Sequence, residues 1–209
     1  MTLPATRRIP APRGSLLHLR RANPVLGELI DRIGAFRLEV PIHRPAVVEL
    51  VRSIVYQQLT GKAAETIYGR FLSLFGGRFP SVRRMGAVEF DALRGVGLSR
   101  QKATAILDLA SRSLDRSLKL SGWESMSNDE VIANLTQVKG IGEWSAHMFM
   151  MFHLGRLDVW PVGDYAIQKA CALLMGSDEL PGRKEMARLG ELYNPYGTIA
   201  AFYLWASVD

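Results

Sequence analysis

Apolar residues recur every three or four positions along most of this chain after Pro24. This spacing places them on one face of an α-helix, whereas the strict alternation typical of strands is scarce. The pattern therefore predicts an all-α protein. Because only a few residues separate one predicted helix from the next, we expect a compact helical bundle with two lobes.

The same pattern sets the limits of the helices. The predicted helices cover residues 25–33, 47–55, 62–75, 99–114, 129–135, 144–154, 183–192 and 196–207, with a short helix ending at Leu93 and another opening after Asp164. Ser99 and Ser127 stand where an N-cap accepts hydrogen bonds from the first backbone N–H groups. Residues 144–154 are apolar on nearly every face, which predicts a helix buried all round.

The first residues differ in composition from the rest of the chain. Residues 1–21 hold five arginines and three prolines but neither Asp nor Glu. Such a composition is typical of a flexible segment that contacts a polyanion. We therefore expect a flexible basic arm over residues 1–22, followed by the helical domain over residues 23–209.

Charge and cysteine content narrow the function classes. The net charge is +6 and the sequence pI is about 9.7, which favours a polyanionic partner only weakly. The single cysteine, Cys171, excludes a disulfide framework, a four-cysteine zinc site and a four-cysteine iron–sulfur cluster. No apolar run approaches the roughly 20 residues that cross a bilayer, so we expect a cytoplasmic, non-membrane protein.

A glycine turn joins two predicted helices in the second half of the chain. Gly140-Ile141-Gly142 follows Val138-Lys139 and precedes a helix with Ala146. Glycines can adopt a positive φ and let the backbone approach a partner closely, and the first N–H groups of the next helix can hold a phosphate. The bland alternative is an ordinary helix–helix turn ending in a C-cap glycine.

An aspartate follows the turn at a suggestive place. Pro161 and Gly163 form a stiff turn before Asp164, and an apolar helical stripe begins at Ile167. Asp164 could simply cap that helix, which typically stabilises it by roughly 1 kcal/mol. Capping is compatible with catalysis, because a carboxylate at a helix N-terminus is held still and kept ionised.

Together these segments resemble the helix-hairpin-helix DNA glycosylase superfamily, and most closely the 3-methyladenine DNA glycosylase II family. The resemblance spans residues 18–205 and includes the segments 53–60 and 93–103. It implies a monofunctional glycosylase that flips alkylated bases out of duplex DNA and excises them in base excision repair, with Asp164 as the catalytic carboxylate. The DNA-contacting residues that it implies are Gln57, Gln58, Leu59, Lys139, Gly140, Gly142 and Ser145. Tyr56 departs from the family, which usually has a small residue there.

The resemblance also bears on strand cleavage. Relatives with lyase activity carry a nucleophilic lysine where this chain has Trp144. Without an amine at that position no Schiff base can form, so β-elimination is not expected. Lys139 lies on the other side of the glycines and is predicted to contact phosphate.

For the base pocket, Trp144 and Tyr196 match the family positions best. Trp160, Tyr165 and Trp205 are further aromatic candidates, although packing in the core explains any one of them equally well. Electron-rich rings attract a cationic base, as alkylated purines are in DNA. Met148 stands where the family often has another aromatic residue.

No cofactor is required by this interpretation. The resemblance implies that a monovalent cation, Na⁺ or K⁺, can be held by the backbone carbonyls of Thr136, Val138 and Gly140. The expected partner is double-stranded DNA with damaged bases, bound by a monomer. Two alternatives stay open: a non-catalytic helix-hairpin-helix DNA-binding module, and a glycosylase for oxidised or mismatched bases.

Overall fold

The computed structural model describes residues 5–208, and the chain forms two compact units. The terminal unit comprises the described residues of the ranges 1–42 and 150–209, and the central unit comprises residues 43–149. The elements in chain order are β1 (Thr6–Ile9), α1 (Ser15–Ala22), α2 (Pro24–Ile33), β2 (Leu38–Pro41), α3 (Ala46–Tyr56), α4 (Gly61–Ser73), α5 (Val82–Gly86), α6 (Phe90–Gly95), α7 (Arg100–Leu114), a 3₁₀ turn (Trp123–Ser125), α8 (Asn128–Leu135), α9 (Glu143–Phe149), a π-helical segment (Met150–Leu154), α10 (Tyr165–Leu174), α11 (Arg183–Tyr193) and α12 (Gly197–Trp205). The predicted all-α class is confirmed, and none of the described helices is long and apolar enough to cross a membrane.

The prediction of a flexible arm is wrong for residues 5–22, while residues 1–4 lie outside the described residues. β1 pairs with β2 in an antiparallel ladder, with Thr6 opposite Pro41 and Ile9 opposite Leu38. In α1 the side chain of Leu19 is fully buried. Strand pairing and burial in the terminal unit outweigh the basic composition, which reports charge but not the contacts that remove a segment from solvent.

The terminal unit is built around α12, which is apolar on every side. Ile199, Ala200 and Leu204 have no solvent exposure, and the Tyr203 hydroxyl donates a hydrogen bond to the carbonyl of Gly34 at 2.9 Å. A helix that is hydrophobic all round must lie in a core. α12 therefore anchors the terminal unit and fixes Trp205 at its C-terminal end.

In the central unit the predicted caps are confirmed. Ser99 accepts a hydrogen bond from the backbone N–H of Lys102 at the start of α7. Ser127 and Glu130 form a reciprocal capping box at the start of α8. The single short helix predicted to end at Leu93 is instead two helices, α5 and α6, because Ser81 caps the first and a turn separates it from the second.

The helix predicted to be buried all round differs from the structure. It is α9 followed by the π-helical segment, and Trp144 and Phe152 keep 47% and 43% of their surface exposed. Apolar content alone cannot distinguish a side chain that packs in a core from one presented to a ligand. These two exposed aromatic side chains are the kind of residues that merit a functional explanation.

Candidate functional site

Asp164 opens α10 in the terminal unit. Its backbone N–H donates to the carbonyl of Pro161 at 2.9 Å, which closes the turn before the helix. Its Oδ1 then accepts a hydrogen bond from the backbone N–H of Ile167 at 3.0 Å. The predicted capping role is confirmed. With 6% of its surface exposed, Asp164 is a nearly buried carboxylate that the backbone holds in place.

A second donor reaches the same oxygen. The indole N–H of Trp205, at the end of α12, donates to Asp164 Oδ1 at 3.0 Å. The Trp205 ring lies 5.8 Å from the ring of Phe152, tilted by 31°. Trp205 was predicted only as a base-pocket aromatic, and the structure shows it as a partner of the carboxylate. The two donors together fix the orientation of the carboxylate plane.

The loop before Asp164 is wedged against α11. The Trp160 indole N–H donates to the carbonyl of Met186 at 2.7 Å, and the Trp160 ring lies 5.2 Å from that of Tyr193. A Cβ added to Gly190 would come within 2.4 Å of Trp160 Cδ1. Trp160 is therefore committed to packing inside the terminal unit, which favours the core-packing alternative over a pocket role.

The remaining predicted aromatics of the terminal unit lie in different settings. Tyr196 precedes α12, is half-buried and meets the His18 ring edge to face, with 5.4 Å between ring centroids. Tyr165 is the first residue of α10 and is 68% exposed. Nothing in these contacts tests the predicted base-pocket role of Tyr196.

In the central unit the glycine turn joins α8 to α9. Gly140 has φ +79°, and Ile141 is buried with its N–H donating to the carbonyl of Val138 at 3.0 Å. A Cβ at Gly140 would lie 3.4 Å from that of Ala105. The expectation of a positive φ at both glycines is wrong for Gly142. A Cβ added to Gly142 would meet no atom within 4 Å. One left-handed residue is enough to reverse the chain here.

Lys139 presents an exposed side chain beside this turn, while its backbone is fixed. Its N–H donates to Asp108 Oδ2 at 2.9 Å, and the same oxygen accepts from Arg112 Nε at 2.9 Å. Burial alone would raise the pKa of Asp108, but these two donors outweigh it and hold the pKa below its ordinary value. The anchored backbone leaves the Lys139 ammonium free to point into solvent.

The segment 57–59, whose residues are predicted to contact DNA, follows α3. Gln57 Nε2 donates to the carbonyl of Gly140 at 3.0 Å and approaches Ser145 Oγ at 3.4 Å, so the segment and the glycine turn are directly joined. Gln58 has φ +55°, a conformation that costs free energy in a residue with a side chain. Gln58 and Leu59 are both exposed.

Sequence reasoning missed the residue that holds this segment. Lys102 of α7 donates from Nζ to the carbonyls of Val55 at 2.8 Å and Gln57 at 2.7 Å. It satisfies carbonyls that the end of α3 leaves without helical partners. Burial lowers the pKa of Lys102. A side chain that binds backbone carbonyls far away in sequence leaves no local pattern that could have revealed it.

A cavity of about 570 Å³ gathers most of the predicted residues of the central unit. Its walls are Ser53, Tyr56, Gln57, Gln58, Gly140, Gly142, Trp144, Ser145 and Met148. Two of the three predicted base-pocket residues, Trp144 and Met148, therefore share one cavity with Gln57 and Gln58, which are predicted to contact DNA. A neighbouring cavity of about 530 Å³ includes Arg100, Lys102 and Lys139 in its lining.

The carbonyls expected to hold a monovalent cation are partly engaged. The Gly140 oxygen accepts from Gln57, and the Val138 oxygen accepts from the N–H of Ile141. Each carbonyl has a second lone pair, so the three oxygens fit a weakly held hard cation in donor type. Among the described residues there is no cluster of three or more His, Cys, Asp or Glu side chains suited to a metal.

Comparison with known proteins gives this geometry a family. The model of the HhH-GPD superfamily base excision DNA repair protein matches residues 51–195. DNA-3-methyladenine glycosylase 1 of Schizosaccharomyces pombe is 31% identical, over 90% of this chain and 84% of that protein. DNA-3-methyladenine glycosylase 2 of Escherichia coli is 25% identical, over 88% of this chain and 67% of that protein.

Solved structures agree with the sequence relatives. The crystal structure of a DNA-3-methyladenine glycosidase from Bacillus halodurans superposes with a TM-score of 0.84 at 35% identity, covering 97% of this chain and 93% of that chain. The Schizosaccharomyces pombe 3-methyladenine DNA glycosylase Mag1, in complex with abasic DNA, superposes with a TM-score of 0.77 at 30% identity, covering 92% and 95%. The chain described here belongs to the HhH-GPD superfamily of base excision DNA repair proteins.

Proposed function

We propose that this protein is a monofunctional DNA glycosylase that excises alkylated purines from double-stranded DNA. The observation that carries the proposal is the carboxylate of Asp164, nearly buried and held through one oxygen by the N–H of Ile167 and the indole N–H of Trp205. A helix cap needs only the first of these donors. The second orients the carboxylate, as electrostatic catalysis requires.

The reaction is a hydrolysis at the sugar carbon C1′. The bond from C1′ to the base nitrogen breaks and the base leaves with the electron pair, while the oxygen of a water molecule bonds to C1′ and its proton passes to a base or to solvent. An alkylated purine carries positive charge, so it departs as a neutral molecule without strong acid catalysis. The role of Asp164 is to stabilise the cationic sugar by its negative charge and to orient the water.

The central unit supplies the grip on DNA. Lys139, Gly140, Gly142 and Ser145 are the proposed contacts to the phosphate backbone of the damaged strand. Extruding a base costs a few kcal/mol, and the exposed side chains of Gln58 and Leu59 are the proposed groups that fill the gap. The bond from Gln57 to the glycine turn couples these two DNA contacts.

The 570 Å³ cavity is the proposed wall for the extruded base. Trp144 and Met148 present an aromatic ring and a polarisable thioether there, and we propose Tyr196 as a further base contact of the terminal unit. The position where lyases carry lysine is Trp144, which cannot form a Schiff base. The proposed product is therefore an abasic site in an intact strand.

The proposal also covers a bound cation, the oligomeric state and the cellular location of the protein. A Na⁺ or K⁺ ion held by the Thr136, Val138 and Gly140 carbonyls would neutralise part of a phosphate charge beside the turn. The protein acts as a monomer, which light scattering of the protein and its DNA complex tests directly. Because the proposed substrate is cellular DNA, the proposed location is the cytoplasm, at the nucleoid if the cell is bacterial.

The experiment compares the wild type with Asp164→Asn on duplexes carrying 7-methylguanine, measuring free base and alkali-labile sites. Asparagine still caps a helix, so the variant keeps its fold, and we expect base release to slow by about 10²–10³. Asp129→Asn makes the same charge change in the first turn of α8 and should release base at the wild-type rate.

Each contrary result is specific. Equal rates for Asp164→Asn and the wild type would reduce Asp164 to a helix cap. A wild type that binds the duplex but releases no base would make the protein a DNA-binding module. Strand breaks that appear without alkali would contradict the monofunctional assignment.

A further inference from the structure

We infer that Arg52, acting through the ring of Tyr56, reduces the preference of the 570 Å³ cavity for cationic bases. The inference rests on the proposed function, to which it adds the charge class of base that the cavity admits. It concerns a residue outside the DNA contacts described above. It is carried by one guanidinium that packs over two tyrosine rings.

This cluster of Arg52, Tyr56 and Tyr68 joins α3 to α4. The guanidinium carbon of Arg52 lies 4.9 Å from the ring centroid of Tyr56 and 5.2 Å from that of Tyr68. The two rings meet edge to face, with centroids 6.5 Å apart. Arg52 and Tyr56 are four residues apart on α3, so their side chains share one face of the helix. The guanidinium therefore has a fixed place beside Tyr56.

The charge of Arg52 is not neutralised by a carboxylate in the described part of the chain. Glu49, one turn earlier on α3, is paired with Arg44 at 2.5 Å. Asp31 is paired with Arg20 and Asp108 with Arg112. Burial raises the pKa of Tyr68, so this ring stays neutral. The guanidinium of Arg52 therefore faces the two rings and forms no ion pair with a described carboxylate.

Tyr56, the ring that Arg52 packs over, is also part of the cavity wall. It lines the cavity together with Trp144 and Met148. A ring that already holds a cation attracts a second cation less, and the two positive charges repel each other across it. A neutral base is affected neither by the weaker cation–π attraction nor by the repulsion from Arg52. Trp144 is then the main ring that attracts a cationic base, while Tyr56 favours neutral ones.

The test measures single-turnover release of 7-methylguanine, cationic while joined to the sugar, and of hypoxanthine, which is neutral, from otherwise identical duplexes. Arg52→Met removes the charge and keeps a long side chain. Arg52→Lys keeps the charge. Arg84→Met is the matched control, because Arg84 lies 5.6 Å from the ring of Phe75 in the same unit. Thermal unfolding of each variant shows that it is folded.

We expect Arg52→Met to release 7-methylguanine about three to ten times faster, as expected for one added cation–π contact and one lost repulsion. Hypoxanthine release should change by less than about twofold. Arg52→Lys and Arg84→Met should match the wild type on both bases.

Two results would overturn the inference. One is a 7-methylguanine rate in Arg52→Met no faster than in the wild type. The other is an equal change in both Arg52 variants or on both bases, which would mean that Arg52 only positions Tyr56. A wild type that releases neither base would instead refute the proposed function, and the inference with it.

Discussion

The two units place their chemistry in opposite environments. In the terminal unit, Asp164 is 6% exposed and its oxygen is fixed by two donors. In the central unit, Gln58 and Lys139 are exposed, and Gln58 has a strained backbone. A group that stabilises a transition state must not reorganise, whereas groups that probe DNA must reach out of the surface. Variants at the contacts of Asp164 should therefore alter the rate of base release but not DNA binding, and variants of the exposed DNA-contacting residues of the central unit should alter DNA binding.

After Asp164→Asn, the largest expected effect comes from removing the second donor of the carboxylate. Trp205→Phe removes the indole N–H but keeps a ring near Phe152. A hydrogen bond to a charged group contributes about 1.5–3 kcal/mol, so base release should slow by about 10- to 100-fold. Single-turnover kinetics at saturating protein measure this rate, and titration of the same duplex should give unchanged affinity.

The matched control is Trp160→Phe. It removes the same kind of donor from the same unit, but its partner is the carbonyl of Met186. For Trp160→Phe, the loss in free energy of unfolding should exceed the rise in activation free energy for base release. If both variants slow release equally, the bond to Asp164 has no special role and the rigidity of the terminal unit is a general packing effect.

The second prediction concerns the wedge under the Asp164 loop. Gly190→Ala would place a Cβ 2.4 Å from Trp160 Cδ1, and such overpacking typically costs about 1–3 kcal/mol. We expect a lower melting temperature together with slower base release, because Trp160 lies in the loop that leads to Asp164. Urea unfolding and the single-turnover assay measure the two effects.

A glycine of the central unit provides the contrast. Gly69 lies inside α4 and a Cβ there would meet nothing within 4 Å. Gly69→Ala should stabilise the protein by about 0.5–1 kcal/mol through its better helix propensity, with base release unchanged. If both substitutions destabilise the protein, the close packing of Trp160 against Gly190 is not the cause of the loss in Gly190→Ala.

The smallest effect concerns electrostatics. A plot of log binding constant against log salt concentration falls with increasing salt. Lys139→Gln should make this fall less steep by about 0.9, the contribution of one phosphate contact. Lys184→Gln removes the same charge from the exposed surface of α11 in the terminal unit and should leave the slope unchanged. Salt titrations with a 7-methylguanine duplex measure both slopes. Equal slopes in the two variants would mean that only net charge matters.

Much of the fold followed from local patterns. Ser99 and Ser127 were predicted as caps and are caps, because an N-cap is satisfied by residues within three positions. The start of α10 at Asp164 follows for the same reason. The division of residues 82–95 into α5 and α6 was missed, because both fit one apolar period and only a short turn separates them.

The candidate site was predictable where a motif occupies one stretch of chain. Gly140, Gly142 and Asp164 stood out through their neighbours in sequence. Trp205 was predicted only as a pocket aromatic, and Lys102 was not predicted, because each acts on residues distant in sequence. The base-pocket role of Tyr196 and the cation at the hairpin carbonyls stay predictions.

The sequence by itself determined the helical class, the caps, the glycine turn and the identity of the aspartate, since each depends on the chemistry of a few adjacent residues. Only the tertiary structure decided that Trp205 donates to Asp164, which lysine closes the end of α3, and that residues 5–22 are folded. These features arise when burial forces distant polar groups to find partners, and the order of residues along the chain does not record those pairings.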